Sequence, residues 1–405
     1  MIGSDGVRVS GFGRRRASAA VLCCAALLGA AHANAAPYVP SDATEVLEHL
    51  PARDGAEWRE IAALQAELAR TPRDAKLAAE IAQRYLELFR AQGDPRLIAY
   101  AQRGLATWSA EAEPPFEIAL KRAEIAQTEH RFDVARAELE RLGAHAPRDA
   151  RVWLTLSAID VVRADYASAR RECGRLVLLQ DVAIVGGCVA AVQAVTGEAD
   201  RAYEFLVRQL ADAGDLPPGI AAWLATLAAE NADALGRARE ADTHYRTALR
   251  AEAHPSVYLL VSYADFLLRA ERPGEVVKLL AEVPPADPLL LRLAIAEKRL
   301  GSDVTKRLDV LGYRFELALD GLDTTHAREA ACFALYLADK PDVALTSALA
   351  NWNVQHEAID ARLVLEAALA AGRAEAARPV LDWLDANHVE HTALRVLAQK
   401  VRAAS

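Results

Sequence analysis

The chain lacks the residue spacings that mark the common catalytic and cofactor sites. Beyond its first 36 residues it contains no P-loop, G-x-S-x-G, H-E-x-x-H, S-x-x-K or C-x-x-C. Those absences remove the phosphate cradle, the nucleophile elbow, the paired zinc histidines and the redox dithiol. Gly186-Gly187 sits inside a helical pattern, and His388 and His391, three residues apart, have no third ligand beside them. They read as a solvated pair. No run alternates apolar and polar with period two, which excludes a sheet. Aromatics are sparse, at 6%. The expectation is a chain with no catalytic residue, no cofactor and no metal.

Long apolar runs are missing too, except at the start. Arg14, Arg15 and Arg16 precede an apolar stretch from Ala19 to Ala31 and then Ala33-Asn34-Ala35. That is the three-part pattern of a cleavable export signal. The apolar stretch falls short of the roughly 20 residues that span a bilayer, and no membrane-length segment follows. Residues 1–35 are expected to be a signal peptide, 36–56 an extended lead rich in proline and polar residues, and 57–404 the folded array. Arginine outnumbers lysine heavily, a bias of GC-rich bacterial genomes. The expected location is the periplasm.

Basic clusters are absent from the remainder. Removing the leader takes four arginines and one aspartate from a chain of net charge −9, leaving −12. Such a balance repels phosphate backbones and anionic membranes, so nucleic acid is not an expected partner. Cysteine is scarce: Cys173, Cys188 and Cys332 remain after the leader. Cys173 and Cys188 fall on consecutive helices, which permits a bridge in an oxidising compartment. The preferred reading of all three is a small buried hydrophobe at a helix contact.

What the chain has is a period. A small or apolar residue recurs at Ala99, Ala135, Ala169, Ala202, Ala241, Val276, Ala344 and Ala377. The gaps are 36, 34, 33, 39, 35, 68 and 33 residues, and 68 is two periods. Twelve residues before five of them stand Ala123, Ser157, Ala190, Ala229 and Ala264. Antiparallel helices approach closely only where both present small side chains, so the pair marks a helix crossing built repeatedly. Gly93, Gly197, Gly236, Gly301 and Gly372 follow helical patterns, where a left-handed residue ends a helix. Prolines at 72, 147, 255, 284 and 285 punctuate the unit ends.

The unit at 150–180, ARVWLTLSAIDVVRADYASARRECGRLVLLQ, resembles a tetratricopeptide repeat (TPR). Trp153, Leu156, Ser157, Tyr166, Ala169, Cys173 and Leu176 fall where that family places its packing residues. The resemblance covers about residues 58–390 in eight or nine units, with an over-long second helix at 301–325 as the main departure. It implies an all-α, right-handed superhelical solenoid of antiparallel helix hairpins, closed by terminal capping helices. Its concave face would be lined by the first helix of each unit. Carried onto this chain, Trp223, Glu230, Tyr258, Asp265, Arg269, Lys298 and Arg299 would form a groove for a protein or peptide partner. The implied function is a non-catalytic interaction scaffold. The alternatives are a structural subunit of an envelope or polysaccharide-secretion assembly, and an accessory in maturation of an exported metalloenzyme.

Overall fold

Helix follows helix throughout the computed structural model, which describes residues 55–211, 216–319 and 325–405 together with Asp42 and Thr44. Twenty α-helices and no strand occur among the described residues. The chain divides after Gly55 into two compact units, and these helices all lie in the second, Ala56–Ser405. The expected signal peptide and nearly all of the expected lead lie outside the described residues.

A first helix, α1 (Ala56–Leu68), precedes nine hairpins. They pair α2 (Ala75–Gln92) with α3 (Arg96–Gly104), α4 (Phe116–Thr128) with α5 (Phe132–His145), and α6 (Ala150–Val162) with α7 (Tyr166–Arg175). Then come α8 (Val182–Gln193) with α9 (Ala199–Ala211), α10 (Pro218–Ala234) with α11 (Ala238–Ala251), and α12 (Val257–Arg269) with α13 (Pro273–Leu279). The last three pair α14 (Asp287–Arg299) with α15 (Thr305–Leu319), α16 (Ala327–Tyr336) with α17 (Pro341–Trp352), and α18 (Ala358–Ala370) with α19 (Arg378–Ala386). A final helix, α20 (Thr392–Ala404), packs on α18. Consecutive first helices touch along the stack, including across α15, so the long helix there does not break it.

The periodic small residues lie where the crossings need them. Ala135, Ala169, Ala202, Ala241, Val276, Ala344 and Ala377 are all fully buried, as are Ala190, Ala229 and Ala264. Ala99 is the exception. It is exposed, and the buried small residue of the first hairpin is Ala101. Asp74, Asp165 and Ser256 start their helices by accepting a backbone N–H three residues on.

Each hairpin reverses through one residue with positive φ. Five are the glycines at 93, 197, 236, 301 and 372; the other four are His130, Ala164, Glu271 and Asp339, with φ between 53° and 59°. A side chain in that region costs about 1 kcal/mol or more.

These turns also make long-range contacts. The Gly93 turn lies against Val257 and Ala286, the Gly197 turn against His388, and the Gly236 turn against Thr392. The ring of His130 meets the Gln355 amide at 3.2 Å. The His356 amide donates to the Val162 carbonyl at 2.8 Å. Arg163 reaches the carbonyls of Asn353 and Val354. Trp383 Nε1 donates to the Tyr166 hydroxyl at 3.0 Å, and the Ala199 amide donates to Glu390 at 2.9 Å. The hydrogen-bonded partners stand 190 to 225 residues apart, about six units of a 34-residue period. The coil of hairpins therefore returns upon itself, and turns from the first five hairpins rest on connections of the later ones. This contact line is the seam.

Candidate functional site

From α10 to α18, polar side chains on each first helix reach the next first helix. Tyr258 Oη on α12 donates to Glu230 on α10 at 2.7 Å, and Ser262 Oγ donates to the same oxygen at 2.9 Å. One turn further along, Arg269 pairs with Asp233. Asp265 on α12 receives both Nε and Nη2 of Arg292 on α14, each at 3.0 Å. Arg292 is 1% exposed and also lies 3.9 Å from Glu329 on α16. Arg328 on α16 holds Asp360 on α18 and Glu357 just before it. Tyr336 donates to Glu366 at 2.6 Å, and Arg362 pairs with the same carboxylate at 2.7 Å.

Two of the expected groove cations serve carbonyls. Lys298 Nζ donates to the carbonyls of Tyr336 and Leu337, at the C-terminal end of α16. Arg299 donates to the carbonyl of Leu268 at 2.6 Å, near the end of α12. A cation at a helix C-terminus satisfies orphan carbonyls and complements the dipole. Asp265, Arg269, Lys298 and Arg299 thus join neighbouring units.

Trp223 stands apart. Its ring covers Gly187 of α8 so closely that a Cβ there would lie 2.5 Å from it. It packs between hairpins with Leu224 and Ala228. Trp352, also packed, meets Trp383 edge-on with 5.4 Å between ring centres. Cys173 and Cys188 form a disulfide joining α7 to α8, in place of the two separate thiols preferred from sequence. Cys332 is buried and free, and burial pushes its thiol up to about 12.

The Glu230–Tyr258 pair differs from the rest of the ladder. Tyr258 keeps 53% of its surface open to solvent. Burial nonetheless holds its hydroxyl well above the ordinary range, with the charges of Glu230 and Glu357 adding to the effect. The ring is half open to solvent while its hydroxyl end is held against Glu230. Burial also lifts the Glu230 carboxyl to about 7, against the lowering effect of the Tyr258 and Ser262 hydrogen bonds. Glu357 and Asp233 raise it further. Asp233, Asp265, Glu329, Glu357, Asp360 and Glu366 each lie beside an arginine, whereas among the described residues Glu230 is held by two hydroxyls. This carboxyl near neutrality sets Glu230 apart from the arginine-paired carboxylates of the ladder.

Sequence reasoning placed Glu230 and Tyr258 on one face and missed Ser262, Arg292, Arg328, Glu357 and Asp360. The first missed signal was the spacing from Glu230 to Ser262, 32 residues, close to one unit. Arg292 and Arg328 carry no local mark, because burial of an arginine depends on which acid the next unit supplies.

No family model matches the sequence, and no curated protein matches it. Among solved structures, a chain of the APC/C hetero-tetramer Cut9-Hcn1 is similar at 13% identity with a TM-score of 0.49, over 87% of this chain and 67% of that one. The P58(IPK) TPR domain is similar at 13% identity with a TM-score of 0.25, over 82% of this chain and 98% of that one. The hairpin architecture itself stands on the contacts within this chain. No helix among the described residues is long and apolar enough to cross a membrane.

Proposed function

We propose that this protein is a non-catalytic interaction scaffold of the bacterial periplasm that seats a basic segment of a protein partner against Tyr258 and Glu230. One observation carries the reading: a tyrosine ring half open to solvent, its hydroxyl pinned by a carboxylate that has no cation of its own among the described residues. An arginine or lysine inserted there gains the ring face and the carboxylate together. Because both groups are already positioned, little ordering cost falls on the scaffold. The net charge of −12 after loss of the leader attracts the same class of segment. An overlay of the protein from residue 36 onward on arrays of basic, neutral and acidic peptides tests this. Binding confined to Lys- or Arg-bearing peptides, and lost in Glu230→Gln, supports the reading; charge-blind binding rejects it.

The assembly-subunit alternative has an observation of its own. Leu178 is 91% exposed and Val177 60% exposed on the connection between α7 and α8, and Val182, the first residue of α8, is 67% exposed. Contiguous apolar surface of this kind favours a second protein surface. A concentration-dependent sedimentation coefficient that vanishes in Leu178→Glu would support it.

A further inference from the structure

The seam carries three imidazoles whose surroundings favour the neutral form. We propose that the seam is a latch which acidification opens, by protonating His130, His356 and His391 and releasing the hairpin turns from the later units.

The geometry sets the terms. His130 stacks on Phe132, with 5.5 Å between ring centres, and its Nδ1 meets Gln355 across the seam. The charged and titratable groups facing it are Arg328, Glu329, Glu357 and His326. His356 lies edge-on to Trp352 at 4.6 Å while its amide holds Val162. Arg163 faces it, and Arg163 in turn stands 3.9 Å from Asp133. His391 sits between Glu390, which takes the Ala199 amide, and Thr392, which lies against Gly236. The charged groups around its ring are Asp233, Arg269 and Arg362. Nδ1 of both His356 and His391 is sealed from solvent with no hydrogen-bond partner among the described residues.

A proton placed on any of these rings is buried near an arginine. Burial lowers His130, with Arg328 adding to it. It lowers His356 against the opposing hydrogen bond from its ring to the Val162 carbonyl. It takes His391 down to about 4. Opening returns each ring to water and to a pKa of about 6.5. The open state therefore binds protons that the closed state excludes. Closure is fully favoured above about pH 6.5 and weakens as pH falls toward 4. For His391 alone, the closed-to-open ratio drops on the order of 20-fold between neutral pH and pH 5.

The arrangement would regulate the Tyr258–Glu230 site: at neutral pH the seam holds the later units against the earlier ones, and at low pH that hold relaxes. That consequence rests on the proposed scaffold function. The latch itself can be read without any partner.

Amide hydrogen exchange on the chain from residue 36 onward, at pH 7.5 and pH 5.0 and corrected for intrinsic rates, provides the test. Peptides carrying the His356 and Ala199 amides should lose protection at least tenfold at pH 5.0, while peptides inside α10 and α12 keep theirs. The variant His130→Asn/His356→Gln/His391→Asn should keep seam protection at pH 5.0. Asparagine suits both the left-handed residue at 130 and the helix start at 391. If the triple variant does not fold, His391→Asn alone should retain part of the protection. Equal protection of the wild-type seam at both pH values overturns the latch, as does equal loss in wild type and variant.

Discussion

The backbone amide of His356 donates to the carbonyl of Val162 at 2.8 Å, joining the end of the third hairpin's first helix to the connection before the ninth hairpin. A hairpin stack that only propagated would not bring these residues together. Nearest-neighbour contacts give a solenoid its linear character; the seam adds cooperativity between distant units.

The Trp383–Tyr166 hydrogen bond tests how much that seam stabilises. Both residues are buried. Trp383→Phe leaves the Tyr166 hydroxyl without its donor and should cost about 1–3 kcal/mol in urea unfolding, with helicity by circular dichroism unchanged. No loss of stability would mean that the seam adds nothing to the stack.

The four turns without glycine make a second prediction. Ala164 holds φ at 59°, so Ala164→Gly should stabilise by roughly 0.5–1 kcal/mol in equilibrium unfolding. At Gly236, with φ of 77°, a Cβ would stand 3.4 Å from Thr392. Gly236→Ala should therefore destabilise by about 1–2 kcal/mol. Opposite signs at equivalent turns would confirm that backbone conformation decides the effect.

Glu230 gives a pH dependence of definite sign. Its folded carboxyl titrates near 7, above the roughly 4.3 of an unfolded chain. A raised acid contributes stability below the unfolded value and loses it as pH rises through the folded one. Glu230→Gln should match wild type near pH 4.5 and exceed it by about 1–3 kcal/mol at pH 8. Parallel unfolding midpoints from pH 5 to 8 would contradict the burial of the Glu230 carboxyl.

The cysteines divide cleanly. Reducing the Cys173–Cys188 bridge, which spans 15 residues, should cost about 3 kcal/mol in the loop-entropy account. Cys332, buried with its thiol pushed to about 12, should resist alkylation until the protein unfolds. The native chain from residue 36 should titrate no free thiol, and the unfolded unreduced chain one.

The period of small residues announced the hairpins because a helix crossing admits little else, and the turn glycines announced themselves because positive φ favours them. Ala99 misled by abundance: in an alanine-rich chain, a small residue two positions from the crossing looks the same as Ala101 at it. The turns at His130, Ala164, Glu271 and Asp339 were silent because tertiary packing overrides backbone preference there. The seam left no trace, since its hydrogen-bonded partners lie 190 residues or more apart and share no motif. Within the ladder, the face was legible and the pairing was not. Whether Asp265 greets a partner or Arg292 depends on a neighbour's register.

The central claim is that Tyr258 and Glu230 receive a basic segment of a protein partner. A photo-crosslinking amino acid at Tyr258 in the full-length protein, in living cells, tests it most directly, with mass spectrometry of both crosslinked peptides. The account predicts one dominant partner, joined through a Lys- or Arg-bearing peptide and lost when Glu230→Gln is added. Crosslinks that are absent at 258 but abundant when the probe stands at Val182 would contradict it and assign binding to the outer surface.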